Sequence, residues 1–151
     1  MSPRFPLYPP IVQVAALWRY PVKSLQGEPI DRAWMTQSGL AGADLHLVTR
    51  DELGDWDVRR FRPNIVVDGA DDLDDLVGER IAIGAAVVEV SKRTKRCAMP
   101  TLAQSALSGP ALRKDADVLR SLAHGRDLRL GVYARVVVPG VIEAGAGLAL
   151  A

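Results

Sequence analysis

Short segments of β-forming residues constrain the fold of this chain more than any other feature of its sequence. Residues 11–20 are rich in such residues and are followed by a proline, and residues 62–68 contain a short apolar run. Residues 80–91 alternate between apolar and polar side chains around Gly84 and Ala85. This alternation predicts two strands joined by a tight turn.

The C-terminal part of the chain continues the pattern. Residues 130–138 predict a further strand, and the following Pro139 and Gly140 predict a turn. Val141 then begins a return strand, which we expect to extend toward Leu150.

Only one segment has persuasive helical spacing. Its apolar positions recur every three or four residues between a proline near the start and a glycine just past the end. These positions are Leu112, Ala116, Leu119, Leu122 and Ala123, between Pro110 and Gly125. Asp115 offers an alternative start for this helix.

Short strands with one or two helices favour a mainly β fold, a β-barrel or sandwich, over a parallel α/β sheet. The 151 residues suit a single domain. We expect residues 1–10, which contain four prolines, to be a flexible lead-in, and residues 11–151 to form the β-barrel-like domain.

Composition excludes several classes of function. Cys97 is the only cysteine, which excludes an internal disulfide framework and a multi-cysteine zinc site. A net charge of +1 argues against a general polyanion binder, and no apolar stretch approaches the roughly 20 residues that span a bilayer. We therefore expect a soluble cytoplasmic domain that binds neither nucleic acid nor membrane.

The only thiol follows a dense group of cations. Lys92, Arg93, Lys95 and Arg96 lie within the five residues before Cys97. Neighbouring cations favour the thiolate, the form that attacks electrophiles or binds soft metals. A single thiolate is also suited to a metal that arrives chelated by an organic cofactor. A buried, inert cysteine beside a solvated basic turn is the alternative interpretation.

A second basic cluster precedes Asn64. Because the residue before a proline favours extended backbone, we expect Arg60 and Arg62 on one face and Arg59 and Phe61 on the other. Guanidinium groups beside an amide suit a ligand rich in phosphate and ring heteroatoms. A charged strand edge that resists aggregation is the alternative.

A third candidate is the loop after residue 20. Lys23 and Ser24 present a cation and a hydroxyl, which is a weak signal for phosphate binding, and an ordinary polar turn is the alternative.

Four motifs in this order resemble the MOSC domain, named for the C-terminal domain of molybdenum-cofactor sulfurase. They are Leu-Trp-Arg-Tyr-Pro-Val-Lys-Ser at 17–24, Asp-Val-Arg-Arg-Phe-Arg-Pro-Asn-Ile-Val-Val at 57–67, Arg-Cys-Ala-Met-Pro-Thr at 96–101, and Gly-Val-Tyr-Ala at 131–134, followed by Pro-Gly at 139–140 and Gly145. The similarity covers most of the chain from about Val12 onward.

The resemblance implies a β-barrel-like fold that holds the molybdenum cofactor, a pterin dithiolene bearing a phosphate. It places the molybdenum ligand and catalytic position on Cys97. It implies cofactor-binding roles for the remaining motif residues, with Arg60 as a helper and the two cations before the thiol facing the anionic pterin. The cofactor-binding set is Lys23, Ser24, Arg60, Arg62, Asn64, Lys95 and Arg96.

Characterised members of the family reduce N-hydroxylated compounds with electrons from a flavin or iron–sulfur protein. The resemblance therefore implies a molybdenum-dependent oxidoreductase that acts on N-hydroxylated or related small molecules. A non-catalytic cofactor-binding or sulfur-carrier barrel is the alternative. Pyridoxal phosphate, a weak association at family level, ranks lower because no lysine stands out as a Schiff-base former. Nucleic-acid binding by residues 92–96 is a distant third hypothesis.

The chain departs from the family pattern in one region. Leu45 stands where the family's Gly-Asp-Arg element has its arginine, and residues 45–56 lead almost directly into the central motif. We interpret this as an internal deletion that leaves a minimal barrel and removes one wall of the cofactor pocket. Under the non-catalytic alternative, this deletion reduces or abolishes activity. An edge exposed by missing strands predicts a homodimer.

Overall fold

The computed structural model describes residues 12–20, 26–40, 44–106 and 109–151. These residues form ten strands, two α-helices and three single-turn 3-10 helices. The strands are β1 (Gln13–Arg19), β2 (Glu28–Ile30), β3 (Arg32–Met35), β4 (Leu45–Thr49), β5 (Ile65–Asp68), β6 (Arg80–Ile83), β7 (Ala86–Lys95), β8 (Arg129–Val138), β9 (Gly140–Glu143) and β10 (Leu148–Leu150). The helices are α1 (Arg50–Leu53) and α2 (Asp117–Gly125), with 3-10 turns at Val58–Arg60, Asp74–Leu76 and Met99–Thr101. The predicted mainly β class is confirmed.

Eight strands form one sheet in the order β10-β6-β7-β8-β4-β5-β1-β2, and β3 pairs with β9 in a separate ribbon. Every pairing in the large sheet is antiparallel except that of β4 with β5. The sheet curls strongly enough for its two sides to approach. The amide of Val14 donates to the carbonyl of Ala146 at 2.8 Å, and the amide of Leu148 donates to the carbonyl of Val12 at 2.9 Å. The result is the barrel-like architecture that the sequence predicted.

The helix between the parallel strands β4 and β5 is anchored by a capping box. The Thr49 hydroxyl accepts from the Glu52 amide at 3.0 Å, and the Glu52 carboxylate accepts from the Thr49 amide at 2.9 Å. The same buried carboxylate also accepts from Arg126 Nη2 at 2.7 Å and from the Gly131 amide at 3.3 Å. Glu52 thus links α1 to β8 and to the end of α2.

The apolar residues divide into a main core inside the curled sheet and a smaller cluster under α2. Val118 and Leu122 of α2 are buried and pack with Phe61 and Leu130 in that smaller cluster. Because α2 covers the sheet next to the basic segment at 59–62, it helps to hold that segment in place. In the described part of the chain, no helix has both the length and the apolar character needed to cross a bilayer.

The predicted hairpin at 80–91 is confirmed, with Ile83 opposite Ala86, and β7 continues four residues further, to Lys95. The helix begins later than its apolar spacing predicts. Leu112 exchanges backbone hydrogen bonds with Gln104, and the Asp115 carboxylate accepts a hydrogen bond from the amide of Asp117 at 3.0 Å. Tertiary pairing therefore removes the first predicted turn, and the helix starts close to the alternative start at Asp115.

The predicted return strand from Val141 does not continue unbroken to Leu150. After β8 the chain crosses the turn between β6 and β7 at Gly140, where a Cβ atom would lie 2.4 Å from the carbonyl oxygen of Ala85. Residues 140–143 therefore pair with β3, and a turn at Ala144 and Gly145 separates them from β10, which pairs with β6. The predicted lead-in at residues 1–10 lies outside the described residues, as does Ile11.

Candidate functional site

A cavity of about 410 Å³ opens beside Cys97, where the ends of several elements meet. β1 is followed by Tyr20, β7 ends at Lys95, and the 3-10 turn before β5 supplies Arg60. Most of the predicted site residues line this cavity: Arg60, Arg62, Asn64, Lys95, Arg96 and Cys97. The fold therefore brings the second and third motifs to one place, although Arg62 and Cys97 are 35 positions apart in the sequence.

Cys97 is exposed, so the buried-cysteine alternative is wrong for this residue. Cys97 lies two residues after the end of β7, which places the thiol at the rim of the cavity. Among the described residues, no group of three histidine, cysteine or acidic side chains is arranged to hold a metal ion. A metal at Cys97 would therefore take most of its ligands from a cofactor.

Arg96 is the half-buried cation of the cavity. Its Nη2 donates to the carbonyl of Phe61 at 2.7 Å, and the guanidinium lies over the Phe61 ring at 5.3 Å. Burial lowers the pKa of Arg96 from its ordinary value. Within the described residues, no carboxylate forms an ion pair with Arg96 or Lys95, and Asp44 is the one acidic side chain that lines the cavity. This wall is therefore suited to an anionic ligand.

His46 lies beside Arg96 in the wall of the cavity and holds it there. The imidazole is buried on β4, and its Nε2 lies 3.2 Å from Arg96 Nη1. Because a guanidinium only donates, His46 Nε2 accepts in this pair and the imidazole is neutral. Burial and the nearby Arg96 lower the pKa of His46 to about 3. The ring also packs against Tyr133, with centroids 5.4 Å apart.

The low pKa of His46 predicts acid sensitivity of the fold. Below its ordinary value of 6.5, His46 takes up a proton in the unfolded chain but not in the folded one until about pH 3. The free energy of unfolding should therefore fall as the pH falls through this window, by up to about 1.4 kcal/mol per pH unit from this residue. His46→Gln should remove that contribution in urea titrations across the same pH range. His124→Gln, at the exposed end of α2, is the matched control and should keep the slope of the unchanged protein. Equal slopes in all three proteins would contradict the assignment.

The segment at 59–62 does not have the predicted extended conformation. Residues 58–60 form a 3-10 turn, capped by Asp57, and Arg62 has φ of +53° although Pro63 follows it. The predicted separation of Arg60 and Arg62 from Arg59 and Phe61 by strand alternation is therefore wrong. The Asp57 carboxylate accepts from the Arg59 amide at 2.9 Å, which favours the turn over a strand. The reversed backbone at Arg62 brings its guanidinium over the Tyr20 ring at 4.4 Å.

Arg60 supports the loop that follows Cys97. Its Nη1 donates to the carbonyls of Pro100 at 3.2 Å and Leu102 at 3.4 Å, and its Nη2 donates to that of Arg113 at 2.7 Å. Through these three hydrogen bonds, the buried guanidinium provides donors for backbone carbonyl oxygens that would otherwise lack partners. Arg60 lines the cavity, and its predicted helper role stays a prediction.

The Asn64 amide joins three strands next to the cavity. Its Oδ1 accepts from the His46 amide at 2.9 Å, and its Nδ2 lies 3.4 Å from the Trp18 carbonyl. Asn64 thereby fixes the start of β5 against β4 and β1. The predicted contact of Asn64 with a cofactor stays a prediction, and so do the predicted contacts of Arg62, Lys95 and Arg96. Lys23 and Ser24 lie outside the described residues.

Sequence patterns missed three side chains around this cavity. Tyr20 donates its hydroxyl hydrogen to the Pro63 carbonyl at 2.9 Å, and burial raises its pKa, so it is a neutral phenol. His46 and Tyr133 pair across β4 and β8. The sequence gives His46 no spacing typical of a metal ligand, and only the pairing of β4 with β8 places it beside Arg96. Tyr20 is part of the first motif, which was the available signal.

The fold and a family model identify the class of this protein. The family model of the MOSC domain matches residues 37–149. The chain belongs to the MOSC domain family, which is associated with the molybdenum cofactor. No curated protein sequence matches the chain significantly.

Solved structures share the fold at low sequence identity. YiiM from Geobacillus stearothermophilus superposes with a TM-score of 0.71 at 19% identity, over 93% of this chain and 75% of that one. The YUAD protein from Bacillus subtilis has a TM-score of 0.67 at 14% identity, over 91% of this chain and 93% of that one. YiiM from Escherichia coli has a TM-score of 0.64 at 18% identity, over 92% and 69%. The high coverage of the B. subtilis protein means that its length is close to that of this chain.

Proposed function

We propose that this chain binds the molybdenum cofactor in the Cys97 cavity and reduces N-hydroxylated or related N-oxygenated small molecules. The observation that carries the proposal is the exposed thiol at the rim of a cavity whose half-buried cation, Arg96, has no carboxylate partner among the described residues. Thiolates suit molybdenum, and fixed guanidinium groups suit an anionic, heteroatom-rich pterin. Family membership supports the same assignment.

The residues of the cavity have distinct tasks in this proposal. Cys97 Sγ is the protein ligand to molybdenum, and the bound cofactor supplies two-electron redox chemistry. Arg96, held by His46 and Phe61, provides a cation that cannot swing away from the anionic ligand. Arg60 keeps the loop after Cys97 in position through its three carbonyl contacts.

The overall reaction balances with an external electron donor. The N–O bond of the substrate breaks, two electrons come from a flavin or iron–sulfur protein, and two protons come from solvent. The products are the reduced nitrogen compound and water. In this proposal the chain supplies binding, orientation and charge, and the donor protein supplies the electrons.

Metal analysis tests the proposal directly. The intact chain, expressed in a host that makes the cofactor, should contain molybdenum and pterin in equimolar amounts with the protein. It should also reduce an N-hydroxylated amidine with an artificial electron donor. An intact protein without molybdenum under these conditions would overturn the proposal.

The exposure of Cys97 favours a sulfur carrier as the second candidate function, because a persulfide donor can reach the thiol. A protein that binds cofactor without turnover, and that gains the mass of one sulfur atom at Cys97 when given a persulfide donor, would support this alternative. A thiol that stays unmodified would exclude it.

A further inference from the structure

The lysines of the described chain form no ion pair, and they lie in two segments on either side of the loop after Cys97. Lys92 and Lys95 are exposed on β7, and Lys114 is exposed in the segment before α2, next to the exposed Arg113. Most of the described arginines pair with carboxylates instead, namely Arg19, Arg32, Arg59, Arg80, Arg93, Arg120, Arg126, Arg129 and Arg135. Exposed cations without a carboxylate partner therefore concentrate in these two segments.

Backbone contacts hold the segment before α2 against the loop after Cys97. The amide of Asp115 donates to the carbonyl of Thr101 at 2.8 Å, and Arg60 Nη2 donates to the carbonyl of Arg113 at 2.7 Å. Arg60 itself lines the Cys97 cavity. Both exposed cations of this segment therefore lie beside that cavity.

Lys92 approaches the same cavity from β7. Its Nζ lies 5.7 Å from the ring centroid of Tyr133, a side chain that lines the cavity. Lys92, Arg113 and Lys114 do not line the cavity themselves. An anionic ligand inside the cavity therefore leaves these three cations uncompensated on the surface around it.

Two exposed apolar side chains lie in the loop between the two groups of cations. Met99 and Leu102 are 48% and 44% exposed. Protein interfaces combine an apolar centre with a polar rim, and methionine and arginine are enriched in them. A surface with few apolar side chains suits a weak, transient complex rather than a permanent one. We call this surface the basic rim, and its residues are Lys92, Lys95, Met99, Leu102, Arg113 and Lys114.

Acidic side chains concentrate elsewhere in the chain. Residues 68–75 contain five aspartates and follow β5, whose other end lies beside the cavity at Asn64. Because the net charge is only +1, the surface is divided between the two signs rather than uniformly basic. Such a division steers an acidic protein toward the basic rim, and the aspartates repel a long polyanion such as a nucleic acid.

We propose that the basic rim docks an acidic electron-donor protein that carries a reduced flavin or iron–sulfur centre. This inference rests on the proposed function, because a reduction at Cys97 needs such a donor. A donor on the basic rim lies beside the exposed Cys97, which shortens the path of the electrons to the site. The donor is oxidised by two electrons in total, and the N–O bond of the substrate takes up these electrons together with two protons from solvent.

Binding to the cofactor-free full chain tests the basic rim without turnover. The probes are an acidic [2Fe–2S] ferredoxin and an acidic flavodoxin, measured by surface plasmon resonance at low ionic strength, where exposed charges are least screened. Reversal of two rim charges in Lys92→Glu/Lys114→Glu should raise the Kd of the tighter-binding probe by about tenfold.

Arg50→Glu is the matched control for this charge reversal. Arg50 is exposed and forms no ion pair within the described residues, but it follows the end of β4 that lies away from the cavity. The control should leave the Kd unchanged. Binding of neither acidic protein, or an equal Kd in the double variant and the control, would overturn the docking surface. Duplex DNA that binds the unchanged chain more tightly than both probes, and does not bind the double variant, would overturn it in favour of a nucleic-acid surface.

Kinetics with the cofactor-loaded protein keep this proposal separate from the proposed function. The double variant should raise KM for the reduced donor protein by about tenfold, while its rate with a small artificial electron donor should equal that of the unchanged protein. An unchanged KM for the donor protein, in a double variant that still reduces the amidine, would overturn the basic rim alone. A chain that binds the acidic probes as expected but retains no molybdenum would overturn the proposed function and leave the basic rim as a binding surface for an acidic protein.

Discussion

Replacement of Cys97 by alanine is expected to abolish molybdenum retention and to leave the fold intact. Cys97 is exposed and contributes nothing to the apolar core, so we expect a change in stability within about 0.5 kcal/mol. No cluster of three potential ligands exists among the described residues to replace the thiol. Elemental analysis of protein from a cofactor-making host should show at least a tenfold fall in molybdenum per chain. Thermal unfolding of the cofactor-free variant should show the same stability as that of the cofactor-free unchanged protein.

Ala98→Ser is the matched control for this experiment. It changes the neighbouring exposed residue of the same loop and keeps the thiol. We expect the control to retain the molybdenum content of the unchanged protein. Full molybdenum content in Cys97→Ala would show that the metal is held elsewhere and would remove Cys97 from the site.

Replacement of Gly131 by alanine is expected to cost about 3 kcal/mol or more of folding free energy. Gly131 lies in β8 with φ of +83°, a conformation that costs an L-residue about 1–2 kcal/mol. A Cβ atom there would also lie 2.6 Å from the Leu47 carbonyl oxygen and 2.7 Å from His46 Nε2. Overpacking of this kind adds about 1–3 kcal/mol, because backbone and a buried ring cannot move freely. Urea unfolding measures the loss directly.

Gly78→Ala separates the two costs. Gly78 has φ of +89°, but a Cβ atom at this exposed position would meet nothing within 4 Å. We expect it to lose only the conformational term of about 1–2 kcal/mol. Equal losses of unfolding free energy in the two variants would mean that the close approach of Gly131 to His46 adds nothing to the cost of Gly131→Ala.

Local patterns predicted the strands well because each one depends on near neighbours. The hairpin around Gly84 and the long strand β8 follow from alternation and turn residues within a few positions. The start of α2 did not follow from its apolar spacing. Leu112 fits a helical stripe, but its backbone pairs with Gln104, a contact that no local pattern encodes.

The basic segment at 59–62 shows the same limit within the site. Its composition indicated guanidinium groups near a ligand, and the cavity contains Arg60 and Arg62. The expected alternation failed because Asp57 caps a 3-10 turn and Arg62 takes a left-handed backbone conformation. Residue identity therefore predicted the chemistry of the segment, while its geometry depended on capping and packing.

The sequence by itself determined the mainly β class, the single thiol and the family, because strand periodicity, residue counts and ordered motifs are local properties of the chain. The tertiary structure alone decided that the thiol is exposed, that His46 from β4 supports Arg96 after β7, and that the second and third motifs meet at one cavity. These features depend on contacts between residues 35 to 50 positions apart. Such contacts form only when the sheet curls and brings its strand ends together, and a linear pattern contains no measure of that distance.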